Sequence, residues 1–283
     1  MPTYSVNAIN VGSFNLGESD KIITLFSAER GLIRAVAKGV RKPGSKIAGR
    51  ADLLAVNRLL LANGRSLDII TQAEGVESFK SLRNDLIRLS YGLYYAELTA
   101  HLGQGLNQES EAHFELLVNS LRELSDLKKD PIYLCLNFQL SFLQLLGFKP
   151  ELESCVLCRK RLVENDLSIF DHDLGGVICS SCSSDHARSG KDQKYKMRLA
   201  ESAPYDKAVE SKAQISSYFT YLTPLVWKKL ILATYSSDKV LVSNVAGQMQ
   251  IIQKALIAAR RLLETYIEHR AGKKMKSLDL IGA

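Results

Sequence analysis

The sequence predicts an α+β chain: an N-terminal five-stranded OB-like β-barrel followed by an α-helical domain with an embedded four-cysteine module. Three observations predict it. Apolar residues alternate at period two through residues 4–78. They change to three-and-four spacing from residue 81, and two Cys-x-x-Cys pairs interrupt the helical part.

In the first segment, Tyr4, Val6 and Ala8 alternate with polar neighbours, and residues 22–26 form a short run of β-formers. Leu32, Arg34, Val36 and Lys38 fall on one face of a third strand, with Ile33, Ala35 and Ala37 on the other. Residues 53–61 and 67–71 supply two more. Gly17, Glu29-Arg30-Gly31, the stretch from Gly39 to Gly49, and Asn63-Gly64 mark the turns. Five short strands with little helix between them favour a closed barrel, because closure removes exposed edges. An SH3-like barrel would give a similar pattern.

From residue 81, Leu82, Leu86, Leu89, Leu93, Ala96 and Ala100 are expected to line one helical face. Phe114, Leu117, Leu121 and Leu124 repeat the spacing, as do Cys135, Phe138, Phe142 and Leu145. Pro131 sits in a first turn, and Gly147 with Pro150 ends the third helix. Residues 185–212 are polar and read as a connection. Helical periodicity returns over residues 211–235 and again through Ile252, Ala255, Ala259, Leu262 and Tyr266. The expected division is a barrel at 1–80, helical parts at 81–150 and 185–283, and the cysteine module at 151–184.

The chain has 283 residues and a net charge of +7, from 37 Lys+Arg against 30 Asp+Glu. This mild surplus favours an anionic partner. No run of about 18 apolar residues is present, and the start lacks the charged-then-apolar pattern of an export signal. The expected location is cytoplasmic and nucleoid-associated, without a membrane.

Cys155-x-x-Cys158 and Cys179-x-x-Cys182 have the spacing of two metal knuckles. Four thiolates suit zinc and close its shell, so a single structural Zn2+ ion is expected, making the module a zinc finger; a redox dithiol or an iron–sulfur cluster is the competing reading. His172 and His186 lie near enough in sequence to replace a cysteine. Gly175-Gly176 would allow the tight turn before the second pair.

Between residues 30 and 50 stand seven basic residues and no acidic ones: Arg30, Arg34, Lys38, Arg41, Lys42, Lys46 and Arg50. A basic strand face feeding a basic loop can track phosphates, and can equally be a solvated surface. Lys254, Arg260, Arg261, Arg270, Lys273 and Lys274 form a second candidate DNA-facing set, or a solvated helix with a cationic end. Tyr4, Phe14, Phe26 and Phe79 could offer stacking faces, although most aromatics of a small barrel belong to its core. Gly39 and Gly44 have phosphate-loop spacing, but Ser45-Lys46 reverses the required order. No catalytic set is recognisable, so a non-enzymatic role is expected.

Several stretches together resemble the bacterial RecO family. They are 16–26, from Leu16-Gly17-Glu18-Ser19-Asp20; 29–42, through Gly31-Leu32-Ile33-Arg34 and Lys38-Gly39-Val40-Arg41-Lys42; Tyr94-Tyr95-Ala96-Glu97-Leu98; Gly147-Phe148-Lys149-Pro150 leading into the first cysteine pair; and Lys276-Ser277-Leu278. The resemblance implies an OB-fold, a helical domain and a zinc finger. It implies binding of single- and double-stranded DNA, annealing of complementary strands, and work with RecR, in some members RecF, to replace single-strand-binding protein with RecA in repair and recombination. A protein-only adaptor and a zinc-ribbon DNA-binding regulator are the alternatives.

Overall fold

A computed structural model of the chain describes residues 2–45, 47–105, 109–188, 219–235 and 246–281. It divides into two compact units, Met1–Phe138 with Lys274–Ala283, and Gln139–Lys273.

The first unit begins with β1 (Thr3–Leu16), β2 (Asp20–Ser27), β3 (Gly31–Ala37), β4 (Val56–Ala62) and β5 (Asp68–Glu77), which close into a barrel in the order β1-β2-β3-β5-β4. The β3–β5 pairing is parallel and the others are antiparallel. One long strand serves two partners: the first half of β1 pairs with β4 and the second half with β2. A register shift between Asn10 and Gly12 bends β1 between these roles. The alternation in the sequence places side chains as expected. Ile33, Ala35 and Ala37 join Val6, Ala8, Ile23, Leu25, Leu59, Leu61 and Ile70 inside. Val40 and Ala51, from the β3–β4 connection, complete this core.

Two strand boundaries differ from expectation. β4 starts at Val56, because Leu54 adopts a positive φ of 65° in the turn before it. β5 continues to Glu77, well beyond residue 71, because its partner β4 offers backbone groups as far as Val56.

α1 (Leu86–Leu102) is capped by Asp85, whose carboxylate accepts from the Arg88 N–H at 3.1 Å. Its buried face keeps Leu82 and Ala96 of the expected stripe, leaves Leu89, Leu93 and Ala100 half-buried, and corrects the rest. Leu82 lies in a preceding 3-10 turn and Leu86 is 78% exposed, whereas Arg88, Tyr91, Tyr94, Tyr95, Leu98 and Thr99 are buried. The helix packs against the barrel and against α2 (Ser110–Ser125), so a single apolar stripe does not describe its environment. Gly92 makes the packing possible: a Cβ there would lie 3.1–3.2 Å from Leu54, Leu82 and Leu121. The Arg88 guanidinium donates to the carbonyls of Leu124, Asp126, Leu127 and Lys129, fixing the turn after α2. α3 (Pro131–Leu145) follows, and Phe138 stacks on Tyr95 with ring centroids 3.8 Å apart. The short α7 (Leu278–Ile281) rests on α1.

In the second unit, β6 (Leu167–Asp171), β7 (Gly176–Cys179) and β8 (Phe219–Tyr221) form an antiparallel sheet in the order β7-β6-β8. Within it lie α4 (Ser180–Arg188), α5 (Pro224–Tyr235) and α6 (Ala246–Ala271). β8 corrects the expectation of helix across 211–235. Aromatic, β-branched Phe219-Thr220-Tyr221 pairs with β6, and helix begins only after Thr223, which caps it through the Val226 N–H. Residues 211–218 lie outside the described residues, as does most of the expected connection at 185–212. α4, extending to Arg188, occupies the start of that connection. The expected face of α6 is buried at Ala255, Ala259, Leu262 and Tyr266.

Candidate nucleic-acid interface and metal centre

On β3, Arg34 projects from the outer surface because Ile33 and Ala35 on either side fill the barrel. Lys38 continues that face just beyond the strand. Arg30, Arg34, Lys38, Arg41, Lys42 and Arg50 are all exposed, while Lys46 lies outside the described residues.

The loop that carries these charges is anchored at several points. Asp20 accepts from the Gly39 N–H at 2.8 Å and from the Ser19 hydroxyl at 2.9 Å. The Gly39 bond in particular holds the Asp20 carboxyl below its ordinary range, with Lys38 and Lys42 adding to the effect. Arg41 donates from its backbone to Ser19 and from its guanidinium to the Gly17 carbonyl. Gly39 and Gly44 take the positive φ values that the turns require. At the far end, the buried amides of Asn10 and Asn57 both donate to the Arg50 carbonyl, at 2.8 and 2.9 Å. Val40 and Ala51 pin the loop to the core from beneath. These bonds hold the loop at Gly39, Arg41 and Arg50 among the described residues. Sequence reasoning missed the anchors Asn10, Asp20 and Asn57; two asparagines interrupting apolar strand patterns were the available signal.

The second basic set is heterogeneous. Lys254, Arg261, Lys273 and Lys274 are exposed. Arg260 is buried and paired with Glu264 on the next turn of α6. Burial pushes the Glu264 carboxyl up to about 7 despite the Arg260 charge. Arg270 donates to the Asp173 carbonyl and lies over the rings of Phe148 and Tyr266.

In the cysteine module, the first knuckle turns at Arg159, whose φ is 63°, with N–H···O bonds from Arg159 to Cys155 and from Cys155 to Lys160. The second pair straddles the junction of β7 and α4: Cys179 ends the strand and Cys182 lies in the first helical turn. Gly176 is needed for the approach, since a Cβ would meet the Glu151 carbonyl and Val156 at 2.6 Å. Gly175 takes a φ of 71°, and a Cβ there would lie 2.6 Å from the Tyr266 hydroxyl.

The four Sγ atoms lie within 4.8 Å of one another, and those of Cys158 and Cys179 are 3.8 Å apart. A tetrahedral site with bonds of about 2.3 Å has sulfur–sulfur edges of about 3.8 Å, so these sulfurs fit one metal ion. Burial opposes the Cys179 thiolate, but hydrogen bonds led by Ser181 draw its pKa down to about 6. The Cys182 thiol is pushed far up by burial and by neighbouring sulfurs. His172 is not among the clustered ligands; it is buried and bonds Thr220 at 3.0 Å. The side chain of His186 lies outside the described residues. Cys135 is buried on α3 and is not one of the four clustered cysteines.

Residues 1–79 match the family model "Recombination protein O N terminal", and residues 83–213 match "Recombination protein O C terminal". A DNA repair protein RecO of Symbiobacterium thermophilum is 39% identical over 183 residues, covering 64% of this chain and 72% of that protein. The chain belongs to the RecO family. Another RecO, from Nostoc sp., is 29% identical over 290 residues, which takes in 99% of this chain and 95% of its own. A third, from Pelotomaculum thermopropionicum, is 40% identical over 182 residues, with 64% and 69% covered. The first RecO model coincides with the barrel, and the second spans α1 to α4 with the cysteine module, ending before β8, α5, α6 and α7. Among the described residues, no helix is long and apolar enough to cross a membrane.

Proposed function

We propose that this RecO-family chain binds single- and double-stranded DNA through the basic face of its barrel and anneals complementary strands without breaking a covalent bond. The observation that carries this reading is the exposed set Arg30, Arg34, Lys38, Arg41, Lys42 and Arg50 on an anchored backbone, in a stretch with no acidic residue. Cations held this way screen phosphate repulsion between two strands and leave the bases free to pair. The exposed Lys254, Arg261, Lys273 and Lys274 supply a second cationic surface in the same reading.

In the cell, the protein acts with RecR, and with RecF where it is present, to replace single-strand-binding protein with RecA. Cys155, Cys158, Cys179 and Cys182 hold one zinc ion. When bound, zinc ties the two knuckles together and, with four sulfur ligands, offers no open position for catalysis. The proposed domain division is the barrel at 1–80, the helical parts at 81–150 and 185–283, and the zinc finger at 151–184.

The test follows duplex formation between complementary strands coated with single-strand-binding protein, without nucleotide, together with DNA affinity across a salt series. A chain carrying R34Q, K38Q, R41Q and K42Q should anneal more slowly. Its log affinity should fall less steeply with log salt, by about 0.7 per lost contact on single strands and about 0.9 on duplex. An unchanged slope would move DNA binding away from the barrel. Tight RecR binding with no DNA binding at low salt would instead favour the protein-only adaptor.

A further inference from the structure

Four aromatic residues occur in the barrel segment, and three are occupied. Phe26 is fully buried, edge-on to His113. Phe79 is 6% exposed. Tyr4 is half-buried, donates its hydroxyl to Asp68, and has the Arg30 guanidinium 3.8 Å above its ring. Phe14 differs: it is 46% exposed.

Its position follows from strand register. Phe14 pairs with Ile22, which pairs with Val36. The preceding outward rung is Gly12, Thr24 and Arg34. The other end of this outer surface, at Phe26 and Leu32, is covered: a Cβ on Gly103 would lie 3.0 Å from Phe26 and 3.4 Å from Leu32. Helical packing therefore stops short, and the open end of the β1–β2–β3 surface holds Phe14 beside Arg34. The Arg34 guanidinium lies over one side of the Phe14 ring at 5.3 Å from its centroid, farther than Arg30 from Tyr4, which leaves the other side for a base. Gly12 adds no side chain beside them, so the rung is low next to the ring. Leu16 is 41% exposed on the same strand, where β1 runs towards the loop contacted by Arg41.

The exposed part of the Phe14 ring faces water on the outer side of the strand. Set beside a guanidinium on a basic face, it has the two elements of a single-strand subsite: a cation for the phosphate and a π-face for the base. We propose that Phe14 stacks against an unpaired base of a single strand whose phosphates follow Arg34, Lys38 and Arg41, so that this residue gives the barrel its preference for single strands over duplex. The inference rests on the reading of the barrel as the DNA-binding surface. A duplex keeps its bases stacked on one another and presents no free face to Phe14.

The test uses the full chain and three probes of equal length: an oligothymidine strand, a strand of the same phosphates with abasic sites throughout, and a duplex. Wild type should bind oligothymidine more tightly than the abasic strand. Phe14→Ala should weaken oligothymidine binding roughly tenfold, leave abasic and duplex binding unchanged, and keep the salt slope. Phe14→Trp should retain or strengthen oligothymidine binding. Phe14 is only partly exposed, so Phe14→Ala should melt cooperatively at a slightly lower temperature and Phe14→Trp close to wild type, and a retained cooperative transition would confirm intact folding. If Phe14→Ala binds all three probes as wild type does, the stacking role is overturned, and a loss of affinity in the R34Q/K38Q chain would leave the barrel reading standing. An equal loss on all three probes would reduce Phe14 to a support for Arg34 and also overturn it. If the wild type binds none of the probes at low salt, both readings fall.

Discussion

The Glu97 carboxylate, midway along α1, accepts hydrogen bonds from the backbone N–H of Ser277 at 2.8 Å and from its hydroxyl. It also accepts from the Lys276 N–H at 3.0 Å. One acidic side chain thus accepts from the two backbone N–H groups just before α7. It ties the last turn of the chain to a helix 180 residues earlier. Met275, 2% exposed, is buried beside this tie.

Burial works against the Glu97 charge, but the bonds from Ser277 and Lys276 outweigh it, and the carboxyl lies below its ordinary range. Its contribution to stability is therefore present above the ordinary carboxylate range and is lost as pH falls through the lowered folded value. Glu97→Gln keeps the shape but removes the charge that strengthens three bonds. Unfolding by denaturant should show a loss of about 1–2 kcal/mol. Amide exchange should rise at Ser277 and the residues of α7 before it rises elsewhere in the first unit. Equal exchange across that unit would show that the tie is not local.

Sequence pattern made the barrel legible where a strand has one face in the core and one outside, as in β3, so that the period-two signal maps onto burial; β2 and β4 are buried on much of both faces and show the signal less cleanly. Arg34 between Ile33 and Ala35 is the clearest case. The cysteine cluster was legible for a different reason: two Cys-x-x-Cys turns constrain their own sulfurs locally, whatever the surrounding fold. The face of α1 was legible only in part, at Leu82 and Ala96, because the helix is covered from more than one side and because polar Arg88 and Thr99 are buried by virtue of hydrogen bonds that no hydropathy pattern records. β8 was hidden because three residues are too few to display a period. Arg260 shows the limit of charge counting, since its partner Glu264 is one helical turn away and both are buried.

The four sulfurs yield a prediction that does not depend on DNA. The purified chain should carry one equivalent of zinc, and each of C155S, C158S, C179S and C182S should lower that content. In the native protein a thiol reagent should react slowly with the four ligands. After extraction by a strong chelator, four thiols should react, the Cys158 thiol among the first because it is exposed. Cys135 is fully buried on α3 and should remain protected until the chain unfolds. Iron with visible absorption in place of zinc would overturn the assignment of the metal while keeping its ligands.

A pH-dependent prediction follows from His113 of α2. Its ring packs edge-on against Phe26, 4.7 Å between centroids, and its Nε2 lies 3.0 Å from the Thr99 hydroxyl. Burial lowers its pKa from 6.5 to about 4. Between those values the unfolded chain takes up a proton that the folded chain refuses. The neutral histidine is therefore fully compatible with folding above about pH 6.5, and stability falls as pH drops towards 4. The loss can reach about 3 kcal/mol from this group alone. His172 is lowered to about 3, chiefly by burial with the His269 charge adding to it, and extends the same acid limb in the second unit. Replacing His113 with Gln removes the titration while leaving a polar group opposite Thr99. The expected result is a variant less stable than wild type at pH 7.5 whose disadvantage shrinks as pH falls to 4.5. A disadvantage that stays constant over this range would mean that the His113 proton is not linked to folding.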